Sequence, residues 1–264
     1  MSDPAWKMAL GDGPLVAVAL HHGHAVREEV ARHLALDEVT RLREEDPHTG
    51  AWTKVAPHQV VVNRSRFEMD LNRPRDKAVY RQPEDAWGLE VWKPGTPDDL
   101  FQRSLAQYDA FYAQMRELLD SLVRKHGRFL VLDIHSYNHR RGGSDGRLAD
   151  PAGNPQVNVG TGTMERSHWA PVVDRFIAEL SSAEFPAGPI AGPLDVRENV
   201  RFFGGNLPRW IHEQYPETGC ALALEFKKFF MDEWTGQADA RLMEAIHAAL
   251  GQAAQRTLET FLSI

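Results

Sequence analysis

The segment Phe129-Leu-Val-Leu-Asp-Ile-His-Ser-Tyr137 is apolar or β-branched at nearly every position of its first half, yet ends in an acid, a histidine and a serine. Such a run reads as a buried strand that meets polar loop at its exit. His135 stands where a ring nitrogen projects into a cleft, as a metal or catalytic histidine would. The competing reading is a core histidine satisfied by Asp133. The other polar clusters of the chain have to decide between them.

Strands of this kind recur. Leu15-Val-Ala-Val-Ala-Leu20 follows a Gly-Asp-Gly-Pro turn, Val60 to Arg66 reads as a second strand, and Val157-Asn-Val-Gly160 and Cys220-Ala-Leu-Ala-Leu-Glu-Phe226 as further ones. Helices are predicted between them: one through Val26, Val30 and Leu34, a long amphipathic one from Thr96 to Gly127, and others at Trp169–Leu180 and Asn206–Tyr215. A last one runs through Ala238, Leu242, Ile246 and Leu250, while Pro186 to Pro193 reads as a surface connection. Strand and helix alternating at this rate predict an α/β three-layer sandwich, a mostly parallel mixed sheet with helices on both faces. With 264 residues and 42% hydrophobic content, one domain over 1–264 is expected.

Composition narrows the function. A net charge of -7 leaves no basic footprint for nucleic acid. No apolar run approaches membrane-spanning length, and Met1-Ser-Asp-Pro-Ala-Trp-Lys lacks the basic start and apolar stretch of a secretory signal, so a cytoplasmic protein is expected. Cys220 is the only cysteine; any metal must therefore be held by His, Asp or Glu.

In a parallel sheet the ligand site lies at the carboxyl ends of the strands, and four polar clusters fall there. His21-His-Gly-His24 follows the first strand, Arg64, Arg66, Asn72 and Arg73 the second, His135 the third, and Glu225 ends the last. A mononuclear zinc hydrolase takes about three protein ligands, often two imidazoles and a carboxylate. His22 and His135 are the candidate imidazoles, with His21 and His24 as rivals of His22. Asp46 is the candidate carboxylate, because Pro47 and Gly50 put it on a turn; Glu28 and Glu29 compete with it. Glu225, embedded in a strand, must be paired or have its pKa raised toward that of a general base. Arg64, Arg66 and Arg73 with Asn72 suit a substrate carboxylate, or else form a solvated edge. Arg140-Arg-Gly-Gly143 and Phe202-Phe-Gly-Gly205 are further candidate substrate loops, the latter through Gly204 and Gly205, unless they are surface turn and core packing.

Taken together, His22-Gly23, Asp46-Pro-His-Thr-Gly50, Ser65-Arg66 through Asp70-Leu-Asn72-Arg73, Asp133-Ile-His135-Ser136, Asn199 through Phe203-Gly-Gly205 and Ala223-Leu-Glu225 resemble the N-formylglutamate amidohydrolase family of the zinc carboxypeptidase-like superfamily. The resemblance covers nearly the whole chain. It implies cleavage of a small carboxylate-bearing N-acyl amino acid, N-formylglutamate being the type substrate, with one zinc or other divalent ion. On that resemblance His22, Asp46 and His135 match the metal ligands and Glu225 the general acid/base acting on a metal-activated water. Arg66 matches the group polarising the scissile carbonyl, and Asn72 and Arg73 the holders of a substrate carboxylate. Three departures stand out: superfamily members commonly carry His-x-x-Glu as their first two ligands, whereas here Ala25 stands three after His22 and His24 three after His21; members often read Pro-His-Ser-Gly where this chain has His21-His-Gly-His24; and Lys227 and Lys228 follow Glu225 closely. A noncatalytic carboxylate- or metal-binding protein on the same scaffold and a carboxypeptidase acting on peptides are the alternative functions.

Overall fold

The computed structural model describes residues 4–140, 142–185 and 192–264. Met1–Asp3, Arg141 of the basic loop and most of the connection expected at 186–193 lie outside the described residues.

A seven-stranded mixed sheet runs in the order β1 (Trp6–Ala9), β3 (His58–Val62), β2 (Leu15–Ala19), β4 (Phe129–Tyr137), β9 (Gly219–Lys227), β5 (Val157–Gly160) and β8 (Val196–Glu198). Its pairs are parallel except β1 with β3 and β5 with β9. Between these strands the chain forms α1 (Glu28–Ala31), α2 (Glu38–Glu44), α3 (Thr49–Trp52), α4 (Asp98–His126), α5 (Ala170–Ser181), α6 (Asn206–Gln214) and α7 (Ala240–Phe261). A small pairing of β6 (Glu184–Phe185) with β7 (Gly192–Pro193) stands apart.

Every residue of β4 is buried, because both faces of the sheet are covered. Leu130, Leu132 and Ile134 point into one core with residues of α5 and α7 and with Trp52. Phe129 and Val131 point into the other, beneath Phe111, Met115 and Leu119 of α4 and Ile211 of α6. The fold is thus the expected α/β arrangement with helices on both faces. Among the described residues no helix is long and apolar enough to cross a membrane.

Local differences from the sequence reading have physical causes. The helix expected through Val26, Val30 and Leu34 shrinks to the four residues of α1, since Ala25 bridges to Arg64 and Leu34 to Trp92. Val30 and Leu34 are buried even so, in a third cluster with Phe67 and Tyr80. The strand expected to reach Arg66 ends at Val62. Edge strand β1 is too short to carry a legible alternation.

Helix α6 is fastened to the sheet by His212, whose Nε2 accepts the Ala221 N–H at 3.0 Å while its Nδ1 lies 3.1 Å from Thr163 Oγ1. That acceptor role requires the neutral ring, and burial lowers its pKa to about 4. Between pH 6.5 and pH 4 the unfolded chain binds a proton that the folded chain refuses. Stability attributable to His212 is therefore present above pH 6.5 and lost as pH falls, to a limit of about 3 kcal/mol. Urea denaturation at pH 7 and pH 4.5 should show this loss, and His212→Gln should flatten it by a similar amount.

Candidate metal centre and substrate cavity

The central parallel strands β2, β4 and β9 end on one edge of the sheet, so the residues at their exits meet at a single place. His21 lies just beyond β2. In the β4–β9 register His135 lies directly opposite Glu225, and Asp133 opposite Ala223. Asp46 comes from the turn between α2 and α3, where Pro47 and the left-handed His48 (φ 73°) break the helix. A hydrogen bond of 2.8 Å from Asp46 N–H to His21 C=O ties that turn to the first histidine segment.

Three side chains converge there. His21 Nδ1 and His135 Nδ1 lie 3.4 Å and 3.0 Å from Asp46 Oδ2, with the two rings 4.7 Å apart. One ligand atom from each of the three lies within 4.8 Å of the others, and all three residues are buried. The outward nitrogen of each imidazole is held by an acid: His21 Nε2 by Asp70 Oδ1 at 2.7 Å, His135 Nε2 by Asp133 Oδ1 at 3.0 Å. This fixes both rings with Nδ1 facing Asp46, the arrangement that orients imidazole toward a metal. His21 Nδ1 is buried without a hydrogen-bond partner, so a two-imidazole, one-carboxylate donor set fits a divalent cation here.

The charge balance favours a cation as well. Burial opposes ionisation of Asp46, but its contacts with His135 and His21 hold it far below the usual carboxylate range. Burial also presses His135 toward neutrality, and Asp133 and Asp46 overcome this to hold it well above the usual histidine value. For Glu225 burial prevails: against the attraction of His135, and reinforced by the nearby charges of Asp46 and Asp133, its pKa rises to about 8.

Asp70 organises the other wall. Its carboxylate accepts from His21, from the Asn72 N–H at 2.8 Å, from Arg66 Nη2 at 2.9 Å and from the Tyr80 hydroxyl. Arg66 also donates to Tyr80 and lies 4.9 Å over the Trp87 ring. Asn72 is fixed by accepting the Leu207 N–H at the start of α6. Gly205 makes room for this, since a Cβ there would come within 2.2 Å of the Asn72 amide.

These residues open onto a cavity of about 570 Å³. Of the side chains singled out from the sequence, Asp46, His135, Glu225, Arg66, Asn72, Arg73, Gly204 and Gly205 line it. His22 does not; its ring lies against Gly50, whereas His21, in the turn that follows β2, enters the cluster. Counting back from Gly23 would have found His21, which occupies the histidine position of a Pro-His-Ser-Gly pattern. His24 is taken up by Glu45 at 2.5 Å. Glu28 and Glu29 pair with Arg32 and with Arg27 and Arg103.

Arg64 is likewise outside the cavity, buried 3.6 Å from Glu68. Because β3 stops at Val62, a turn follows and Arg64 and Arg66 diverge rather than sharing a strand face. Arg140 is engaged with the Ser144 carbonyl at 3.2 Å, and its own N–H is accepted by Glu233. Lys227 donates to the Asn154 carbonyl, whereas Lys228 is buried and donates to the carbonyls of Arg43 and Glu45 and to Asn138. Asp70 and Tyr80 had no assigned role in the sequence, because their importance depends on how the loop between β3 and α4 folds back.

A family model described as N-formylglutamate amidohydrolase matches residues 13–231. The chain belongs to that family. Among solved structures, it is similar to an N-formylglutamate amidohydrolase from Ralstonia eutropha JMP134, with TM-score 0.75 and 17% identity over 98% of this chain and 99% of the other. A gene product of Agrobacterium tumefaciens matches with TM-score 0.65 and 17% identity over 96% of both chains. These two likenesses concern the fold. No curated protein matches the chain in sequence.

The weight carried by Asp70 is directly measurable. Removing its carboxylate leaves the Arg66 guanidinium and the His21 N–H without their acceptor inside the protein. Asp70→Ala should cost about 3–5 kcal/mol, the range for breaking a buried charge pair, read as a lower denaturation midpoint at unchanged m-value.

Proposed function

We propose that this family member is a metal-dependent hydrolase cleaving the amide bond of a small N-acyl amino acid with a free carboxylate, N-formylglutamate being the substrate the family name suggests. The observation carrying this reading is the convergence of His21 Nδ1, His135 Nδ1 and Asp46 on one point, with Glu225 on the neighbouring strand position. In this reading His21, Asp46 and His135 hold one divalent ion, zinc by the chemistry of the donor set. When bound, the ion supplies Lewis-acid polarisation of the amide carbonyl and makes water easier to deprotonate.

The chain's own residues supply the rest. Glu225, whose carboxyl burial pushes above the usual range, is the general base that takes a proton from the attacking water and returns it to the departing amine nitrogen. Arg66, held by Asp70 and Tyr80, places a fixed guanidinium at the carbonyl oxygen, where negative charge develops. Asn72 and Arg73 orient the substrate through its carboxylate. Arg73 has charge to offer, since its ion pair with Asp70 is long at 3.9 Å. Gly204 and Gly205 line the same wall, where the missing side chain of Gly205 leaves room for Asn72.

Two measurements test this. In zinc titration calorimetry, His21→Ala should weaken binding by about 100-fold or more and His22→Ala by only a few-fold; the reverse order would overturn the ligand assignment. Glu225→Gln should keep the metal, quantified by elemental analysis, and lose on the order of 100-fold or more in kcat for formate release from N-formylglutamate. Retained turnover in the metal-loaded variant would remove Glu225 from its role.

A further inference from the structure

Two large aromatic side chains stand exposed at the substrate cavity: Trp87 at 55% and Phe203 at 58%. They come from separate loops, and both are held on fixed backbone. Trp87 occupies a left-handed position (φ 56°) just after a 3-10 turn, where its N–H is accepted by the Pro83 carbonyl. Glycine or asparagine adopts that conformation at less cost than tryptophan. Its ring is placed by the Arg66 guanidinium and by an edge contact with Tyr80 at 6.1 Å.

Phe203 is fixed by contacts of its own loop. Its carbonyl accepts the Gly162 N–H at 2.7 Å, and Gly160 and Gly162 let this loop lie directly against the end of β5. A Cβ on Gly160 would reach 2.6 Å from Gly204 N, and one on Gly162 3.0 Å from Phe203 Cβ. Phe202, by contrast, packs inward on Tyr137 at 5.2 Å. The loop thus separates two adjacent aromatics, one built into the wall and one presented to the opening.

The cavity lining combines acids and bases such as Asp46, Arg66 and Glu225 with the exposed rings of Trp87 and Phe203. N-formylglutamate has only two methylenes to set against such rings, and 570 Å³ is a volume that takes considerably larger ligands. We propose that Trp87 and Phe203 form an aromatic clamp for a ring carried by the substrate, so that N-acyl amino acids bearing an aromatic group are preferred over N-formylglutamate. The clamp rests on the amidohydrolase reading for its chemistry, and on the exposed, backbone-fixed rings for its selectivity. Offset or edge-on packing against both rings would stabilise the bound substrate beyond the area buried.

The test uses the zinc-loaded full chain with N-formyl-L-glutamate, N-formyl-L-phenylalanine and N-benzoylglycine as probes. Expected is a kcat/KM at least about tenfold higher for one of the ring-bearing probes than for N-formyl-L-glutamate. That ratio should fall about tenfold in Trp87→Ala and in Phe203→Ala, through KM rather than kcat, and recover in Trp87→Phe. N-formyl-L-glutamate equal to or better than both ring-bearing probes would overturn the clamp, as would alanine variants that leave the ratio unchanged. Should no probe be cleaved, calorimetric binding of the same three to Glu225→Gln reads the clamp separately from the chemistry. Ring-dependent affinity lost in Trp87→Ala would uphold it with the hydrolase reading gone, and ring-independent affinity would overturn it.

Discussion

Four carboxylates, those of Asp46, Asp70, Asp133 and Glu225, gather around the strand exits, Asp133 behind His135 and the other three lining the cleft, and most of the surrounding structure answers the cost of placing them there. An unpaired carboxylate taken from water costs several kcal/mol. Asp70 is answered by Arg66, Tyr80, His21 and a backbone N–H. Asp133 is met by His135, and Asp46 by His135 and His21. Glu225 is the one whose burial is answered by a raised pKa. The division is chemically sensible: contacts with His and Arg hold Asp46 and Asp70 below the usual carboxylate range, whereas burial raises Glu225.

The sheet makes this concentration possible. Parallel strands bring their exits to one edge, and the β4–β9 register puts a histidine and a glutamate side by side without any loop having to find them. Loop residues arrive with less built-in precision and are fastened by specific contacts. Asn72 is tied to the start of α6, α6 to β9 through His212, and the Asp46 turn to the sheet exits through the buried Lys228 ammonium. Lys228, one of the departures near Glu225, donates to two backbone carbonyls and to Asn138.

Legibility in the sequence obeys the same division. The buried strands, the long amphipathic α4, and the presence of His135 and Glu225 at strand exits were legible because burial and periodicity leave a dense local record. The partnership of Asp70 with Tyr80 was not, since it joins residues across an irregular loop whose path no pattern encodes. The pairing of Arg64 with Arg66 failed for a related reason: alternation predicts a shared face only while the strand continues, and β3 stops two residues before Arg64.

The exchange of His22 for His21 shows how narrowly such a site is specified. Asp46 N–H to His21 C=O is the bond that sets two irregular segments against each other, and each segment carries a chemically similar neighbour: His22 beside His21, Glu45 beside Asp46. Glu45 is drawn the other way, into contact with His24, Ser65 and Arg41. A slip of one residue in either segment would present a plausible histidine or acid to the cleft in the wrong geometry. Gly23 resists that slip, because its missing side chain is what allows the first segment to lie against Asn63, where a Cβ would come within 2.0 Å of the backbone. The glycine therefore acts as the ruler for the site: it fixes which imidazole faces Asp46, and composition alone cannot distinguish two adjacent histidines without it.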